Sequence, residues 1–246
     1  MSSQNLFKMI GSEYQISDYF TGEYSQCIPK NLLVIFNIAM KDKELFPNLN
    51  LANGSTYKDY IDRWVQNYRN AENNQTRTKI ALPKGSCDDP AIRAIVKMVT
   101  GVTDEEVTLQ ETHHRLFMSA ENIQGALLEE YIDSVIHEHG WIWCKGNVLK
   151  AVDFCTTNGV HLLQIKNKSN TENSSSSSIR SGTTIKKWYR LGTKQINGEK
   201  LPDYKWNLLV EYIENISKKE CRLSEVDYIN YIEEVIVNNP KIITDL

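Results

Sequence analysis

Residues 125–168 read GALLEEYIDSVIHEHGWIWCKGNVLKAVDFCTTNGVHLLQIKNK, and the rest of the chain is organised around them. The first part has helical spacing: Ser119 is placed to cap a helix that runs through ENIQGALLEEYIDSVIHEH to Gly140. Along it Glu121, Gly125 and Glu129 recur every fourth residue and share a side, with Glu130 turned about 100° away. WIWC, VLKAVDFC and VHLLQIKNK then read as three strands separated by KGN and TTNG, the second of which carries the hairpin signal Asn158-Gly159. Alternation puts Val160, Leu162, Gln164 and Lys166 on one face of the third strand, and His161, Leu163, Ile165 and Asn167 on the other. Asp153 stands between apolar neighbours near the end of the second strand, an expensive place for a carboxylate without a task.

These residue types suit a small hard cation beside a phosphate. Asp153 is the natural principal ligand, and Gln164 offers a neutral amide oxygen. Lys166 is placed to polarise an attacking water or stabilise a pentavalent phosphorus, and a helix glutamate, Glu129 or else Glu121, adds a second carboxylate. A structural reading stands beside this one, in which Asp153 and Lys166 form a buried ion pair with Gln164 as its hydrogen-bond partner.

Working outward, SNTENSSSSSIRSG looks like low complexity but directly follows the strand that carries Gln164 and Lys166. It reads as a loop over 169–182 that recognises DNA through Asn170, Asn173, Ser174, Ser175, Ser176, Ser177, Ser178 and Arg180, with a plain flexible linker as the alternative. TTIKKWYRLG reads as a helix bringing Lys186, Lys187 and Arg190 to the DNA backbone, YKWNLLVEYI as a further strand, and a last helix starts at Ser224. Upstream, residues 1–118 look mainly helical. KNLLVIFNIAMKDKELF forms one helix closed by Pro47, and TYKDYIDRWVQNYRN another; Asp89-Pro90 opens a third, which Gly101 ends, and a TDEE start at Thr103 opens a short fourth. The adjacent His113 and His114 point apart and carry no evident chemistry.

Charge is segregated along the chain. The overall balance is −3, yet residues 101–140 carry 1 Lys+Arg against 9 Asp+Glu and residues 141–200 carry 10 against 3. A basic segment next to an acidic one fits a polyanion partner near metal-binding carboxylates, and pairing of the two segments on the folded surface is the alternative. Cys27, Cys87, Cys144, Cys155 and Cys221 include no CxxC pair, which points away from structural zinc and toward a reducing compartment. The N-terminus has no signal-peptide pattern and no apolar run reaches membrane-span length, so a cytoplasmic protein with no membrane association is expected.

The helix with its glutamate, the meander with Asp153 and the tripeptide Gln164-Ile165-Lys166 resemble the PD-(D/E)XK superfamily of nucleases over roughly residues 119–206. QIKNKSNTENSSSSSIRSGTTIKKW is similar, more particularly, to type II restriction endonucleases, including those that cut short GG(N)CC-like palindromes. Two positions depart from the pattern: Val152 stands where the proline would be, and Gln164 where an acid is usual. The resemblance implies an α/β (α+β) restriction-endonuclease-like core, a mixed β-sheet flanked by helices, over residues 119–246. It also implies a helical region over 1–118 serving dimerisation or as a DNA clamp. It implies a Mg2+-dependent homodimer in a bacterial or archaeal cell that hydrolyses double-stranded DNA at a short specific site. A repair or recombination nuclease, or a non-catalytic DNA-binding protein on a degenerate site, are the alternatives.

Overall fold

A computed structural model describes residues 2–4, 11–24, 28–78, 89–168 and 184–243. The described elements are β1 (Ser2–Gln4), α1 (Glu13–Glu23), α2 (Lys30–Lys41), β2 (Leu49–Leu51), α3 (Tyr57–Asn73), α4 (Pro90–Thr100), α5 (Asp104–Ile136), β3 (Trp141–Trp143), β4 (Phe154–Thr156), β5 (Leu162–Lys168), β6 (Ile185–Ile196), β7 (Glu199–Tyr204), α6 (Trp206–Ser217) and α7 (Glu225–Asn238). They fall into two compact units, one of Met1–Asn74 with Tyr131–Glu225, the other of Gln75–Glu130 with Val226–Leu246. Residue 118 lies inside α5, and residues 1–74 share a unit with the sheet.

The first unit is built on a five-stranded mixed sheet of order β3-β4-β5-β6-β7, antiparallel throughout except for the parallel pair β5–β6. One face is covered by α1, α2 and α3, whose buried Phe20, Phe36 and Trp64 belong to the same core as Ile142, Cys155 and Leu162 of the sheet. Phe20 stacks on Phe36 at 3.9 Å, and Trp64 sits edge-on to both. The other face meets α6, where Trp206 packs 5.0 Å from Trp188 and Tyr212 lies 5.9 Å from Trp141. This is the mixed sheet with flanking helices that the family resemblance implies.

The connection from β3 to β4 decides where Asp153 stands. VLKAVDFC was expected to be extended, but regular pairing starts only at Phe154. The preceding residues turn through left-handed conformations at Gly146, Asn147 and Ala151. Two long-range bonds hold that path: the Trp64 indole donates to the Val148 carbonyl at 2.8 Å, and the Lys150 amide donates to the Leu45 carbonyl at 2.7 Å. Gly146 is required for space as well as for its φ of 75°, because a Cβ there would sit 2.4 Å from the Asn67 carbonyl oxygen. The N-terminal helices therefore clamp the loop that delivers Asp153.

Three other segments differ from their sequence reading. TTIKKWYRLG is the strand β6, with Trp188 and Arg190 buried at alternate positions, the period of a strand and not of a helix. β6 turns into β7 at Asn197-Gly198, both with positive φ, the turn chemistry that matches strand twist. YKWNLLVEYI contains the helix α6, which buries Trp206, Leu209 and Ile213 at helical spacing. The two helices expected on either side of Ser119 are one, α5, and Ser119 is an interior residue of it. Gly125 approaches nothing: a Cβ there would have no neighbour within 4 Å.

In the second unit α4 and the start of α5 form a helical pair, capped as the sequence indicates. Asp89 accepts from the Ala91 amide at 2.9 Å, Gly101 ends α4 in the left-handed conformation, and Thr103 and Glu106 exchange capping bonds. Leu127, Val235 and Ile242 form a small core there, and the Tyr228 hydroxyl donates to the Gln124 carbonyl at 2.9 Å. Among the described residues no helix is long and apolar enough to cross a membrane.

Candidate active site

Asp153 immediately precedes β4. Its amide donates to the Leu163 carbonyl at 2.9 Å, and its Oδ2 accepts the Ile165 amide at 2.6 Å. The carboxylate is thus fastened to the peptide that joins Gln164 to Ile165. Burial raises its pKa to about 6, against the opposing effects of the Ile165 amide and the nearby Lys166 ammonium. One carboxylate oxygen is occupied by a backbone bond, in a setting whose desolvation makes a bare negative charge costly.

Gln164 is 2% exposed, and its Oε1 has no hydrogen-bond partner among the described residues. An amide oxygen buried without a donor costs free energy, about 1–3 kcal/mol for such a group, and so marks a position with a function or a missing partner. Lys166 is half-buried two residues on, which puts it on the same face of β5. The register extends this face across β6: Lys187 lies opposite Gln164, and Tyr189 opposite Lys166.

The structure brings Asp153, Gln164 and Lys166 together in one unit and separates the other candidates. Lys186 points to the opposite face from Lys187, with its ammonium 5.7 Å from the Tyr212 ring. Arg190 is 6% exposed; its Nε donates to Asn167 Oδ1 at 2.9 Å and its Nη1 is paired with Glu225, which also accepts the Trp206 indole at 2.8 Å. A guanidinium held in this way links β5, β6 and the start of α7. Asn170, Asn173, Ser174 to Ser178 and Arg180 lie outside the described residues. Of the α5 carboxylates, Glu121 is exposed, Glu129 half-buried and Glu130 buried; all three belong to the second unit.

The sequence reading missed two features. Asp133, also on α5 but within the first unit, is half-buried, and desolvation raises its pKa in spite of Lys145 and His137. The β6–β7 hairpin extends Thr193, Gln195 and Lys200 along the face that carries Gln164 and Lys166. Asn197-Gly198 was the available signal for it. A cavity of about 570 Å³ between β6 and α6 includes none of Asp153, Gln164 and Lys166 in its lining.

Asp153 and Gln164 pass a donor test for a small hard cation: one carboxylate, and one buried amide oxygen that lacks a donor. Among the described residues no three or more His, Cys, Asp or Glu gather in metal-binding geometry. Magnesium ordinarily takes only one or two protein carboxylates and completes its shell with water and phosphate oxygens.

A mixed sheet carrying an acid before its second strand and a glutamine–lysine pair on its third defines a restriction-endonuclease-like fold. The SinI restriction endonuclease family matches residues 56–237, and the chain belongs to it. It is similar to the type II restriction enzyme SinI of Salmonella infantis, 34% identical over 184 residues that cover 72% of this chain and 73% of that protein. It is also similar to the type II restriction enzyme Eco47I of Escherichia coli, 42% identical over 127 residues, 49% of this chain and 55% of that protein. The match thus spans a little over half the length of Eco47I.

Proposed function

We propose that the chain is a Mg2+-dependent type II restriction endonuclease that hydrolyses double-stranded DNA at a short specific sequence as a homodimer. The observation that carries this reading is the buried, partnerless amide oxygen of Gln164, one residue before the Ile165 amide that holds the Asp153 carboxylate, in a chain of the SinI restriction endonuclease family. Asp153 and Gln164 would hold the cation, and the sequence resemblance calls for a further carboxylate from the helix, Glu129 or else Glu121. When bound, magnesium supplies charge at the phosphoryl oxygens and acidifies water.

The chain's own groups do the rest. The Ile165 amide fixes the Asp153 carboxylate so that one oxygen is directed and the other free to act. The Lys166 ammonium offsets charge that builds on the phosphoryl group and orients the attacking water. Burial of Gln164 keeps bulk water away from that side of the site. Residues 169–182, with Arg180 foremost, read the sequence, and Lys187 meets the phosphate backbone on the same sheet face as Lys166. A short GG(N)CC-like palindrome is the site that the sequence resemblance suggests.

Incubation of unmethylated phage DNA with protein and magnesium, followed by sequencing of fragment ends, tests the reading. Discrete fragments with one common end sequence are expected. A smear without common ends would mark a repair or recombination nuclease, and DNA binding without cleavage a degenerate site.

A further inference from the structure

The helix α4 is amphipathic the wrong way round. Its two cations face α5: Arg93 bonds Glu111 at 2.8 Å, the Asp104 carbonyl at 2.8 Å and the Thr108 hydroxyl at 2.8 Å, while Lys97 pairs with Asp104 at 2.7 Å. At 100° per residue, Ile92, Ile95, Met98 and Val99 lie about 120° or more from that edge. They are exposed by 61%, 61%, 87% and 79%, and no residue of α4 is buried. A surface helix normally turns its apolar stripe inward and its charges outward. Here the charges hold the helix to its neighbour and the stripe is left to solvent.

We propose that this outward face of α4 is the surface on which a second copy of the chain docks about a two-fold axis. The inference rests on the homodimer reading above and gives it a place. Three features select a second copy. The first is extent: eight large apolar residues between Ile92 and Met118 are left exposed. The four on α4 alone amount to roughly 450 Å² of apolar surface, more than half of what one partner buries in a standard interface and toward the upper end of the patch that a monomer ordinarily leaves. The second is self-complementarity. A two-fold axis that crosses α4 at Ile95 sets Ile95 against its own copy, Ile92 against Met98 and Ala91 against Val99 in an antiparallel helix pair, so that every pairing on this face is apolar. The third is charge. Arg93 and Lys97 are the only cations on α4 and both are engaged by α5, so the face has nothing with which to hold a phosphate backbone.

The test is the mass of the full chain in solution at micromolar concentration, by sedimentation equilibrium or light scattering. Wild type is compared with Ile95→Asp/Val99→Asp and with the single variant Met98→Lys. Since nothing on α4 is buried, these variants keep the wild-type circular dichroism and melting temperature unless a partner covers them. Wild type is expected to be a dimer, and the double variant a monomer whose dimer is at least roughly 100-fold weaker. Ile95→Cys, in a background with Cys27 and Cys87 changed to Ser, should cross-link symmetrically with a short bismaleimide; this also serves if the charged variants fail to fold. A monomeric wild type, or a dimer undisturbed by all three substitutions and not cross-linked through position 95, overturns the proposal. So does wild type that is monomeric alone and acquires α4 protection only with DNA or anionic vesicles. Asp153→Ala, which leaves this surface alone, should stay dimeric. A dimer of wild type that cuts no DNA would sink the nuclease reading and leave the surface standing.

Discussion

Neighbouring strands of the sheet bury one polar side chain each, and the two are treated in opposite ways. On β6, Arg190 has Asn167, Glu225 and the Tyr204 ring around its guanidinium. On β5, Gln164 is buried more deeply, at 2% against 6%, and its Oε1 receives nothing. Burial of a polar group is worth its cost when its bonds are made, and Arg190 is then part of the scaffold. A buried acceptor left open is tolerated where something else is to be bound. The sequence reading gave both a task, Gln164 at a cation and Arg190 at the DNA backbone; their partners in the structure set the two apart.

The comparison breaks most sharply at the site itself. Asp153→Ala and Lys166→Ala should each lower the cleavage rate by about 10³-fold or more while circular dichroism is unchanged, since in the proposed mechanism each removes charge at the reacting phosphate and the one backbone bond lost with Asp153, from the Ile165 amide, leaves the strand pairing in place. Turnover within tenfold of wild type would remove that residue from the mechanism. Arg190→Ala should do the reverse. It strands Glu225 in a half-buried setting and should cost about 3 kcal/mol of stability, read by urea denaturation, with the surviving folded fraction retaining its specific activity.

A smaller effect distinguishes Asp153 from an ordinary structural carboxylate. Its pKa is raised to about 6 in the fold, so the native state holds the proton more tightly than the unfolded chain, where the pKa is about 3.9. The resulting stability is present at pH below about 4 and is lost as pH rises through about 6. In metal-free buffer, Asp153→Asn should therefore be more stable than wild type at pH 8, by on the order of 2 kcal/mol, and should differ little at pH 4. A variant less stable at pH 8 would mean that Asp153 serves the fold as a paired ion. The smallest contrast is on α5: Glu129→Gln should reduce cleavage more than Glu130→Gln, and the opposite order would assign the buried Glu130 to the site.

What the sequence disclosed was local. The meander, the position of Asp153 ahead of Gln164 and Lys166, and the caps at Asp89, Gly101 and Thr103 all rest on spacings of a few residues. What it hid was set by contacts far apart in the chain. The bonds from Trp64 to Val148 and from Lys150 to Leu45 join residues 84 and 105 positions apart, and no pattern near residue 150 announces them. β6 resembled a helix because its buried alternate residues are Trp188 and Arg190, and an arginine disguises a two-residue apolar period. The apolar run in α6 was short enough to pass for a strand until Trp206, Leu209 and Ile213 were seen to share one side.

The central claim is that the open oxygen of Gln164 belongs to a metal. Calorimetric titration of magnesium into wild type, Gln164→Glu and Gln164→Leu tests it directly. Glutamate adds charge at the same position and should bind magnesium as tightly as wild type or more so, whereas leucine fills the space without a donor and should weaken binding by tenfold or more. Equal affinity in wild type and the leucine variant, or weaker binding in the glutamate variant, would contradict the account and return Gln164 to the core as a polar side chain with no ligand.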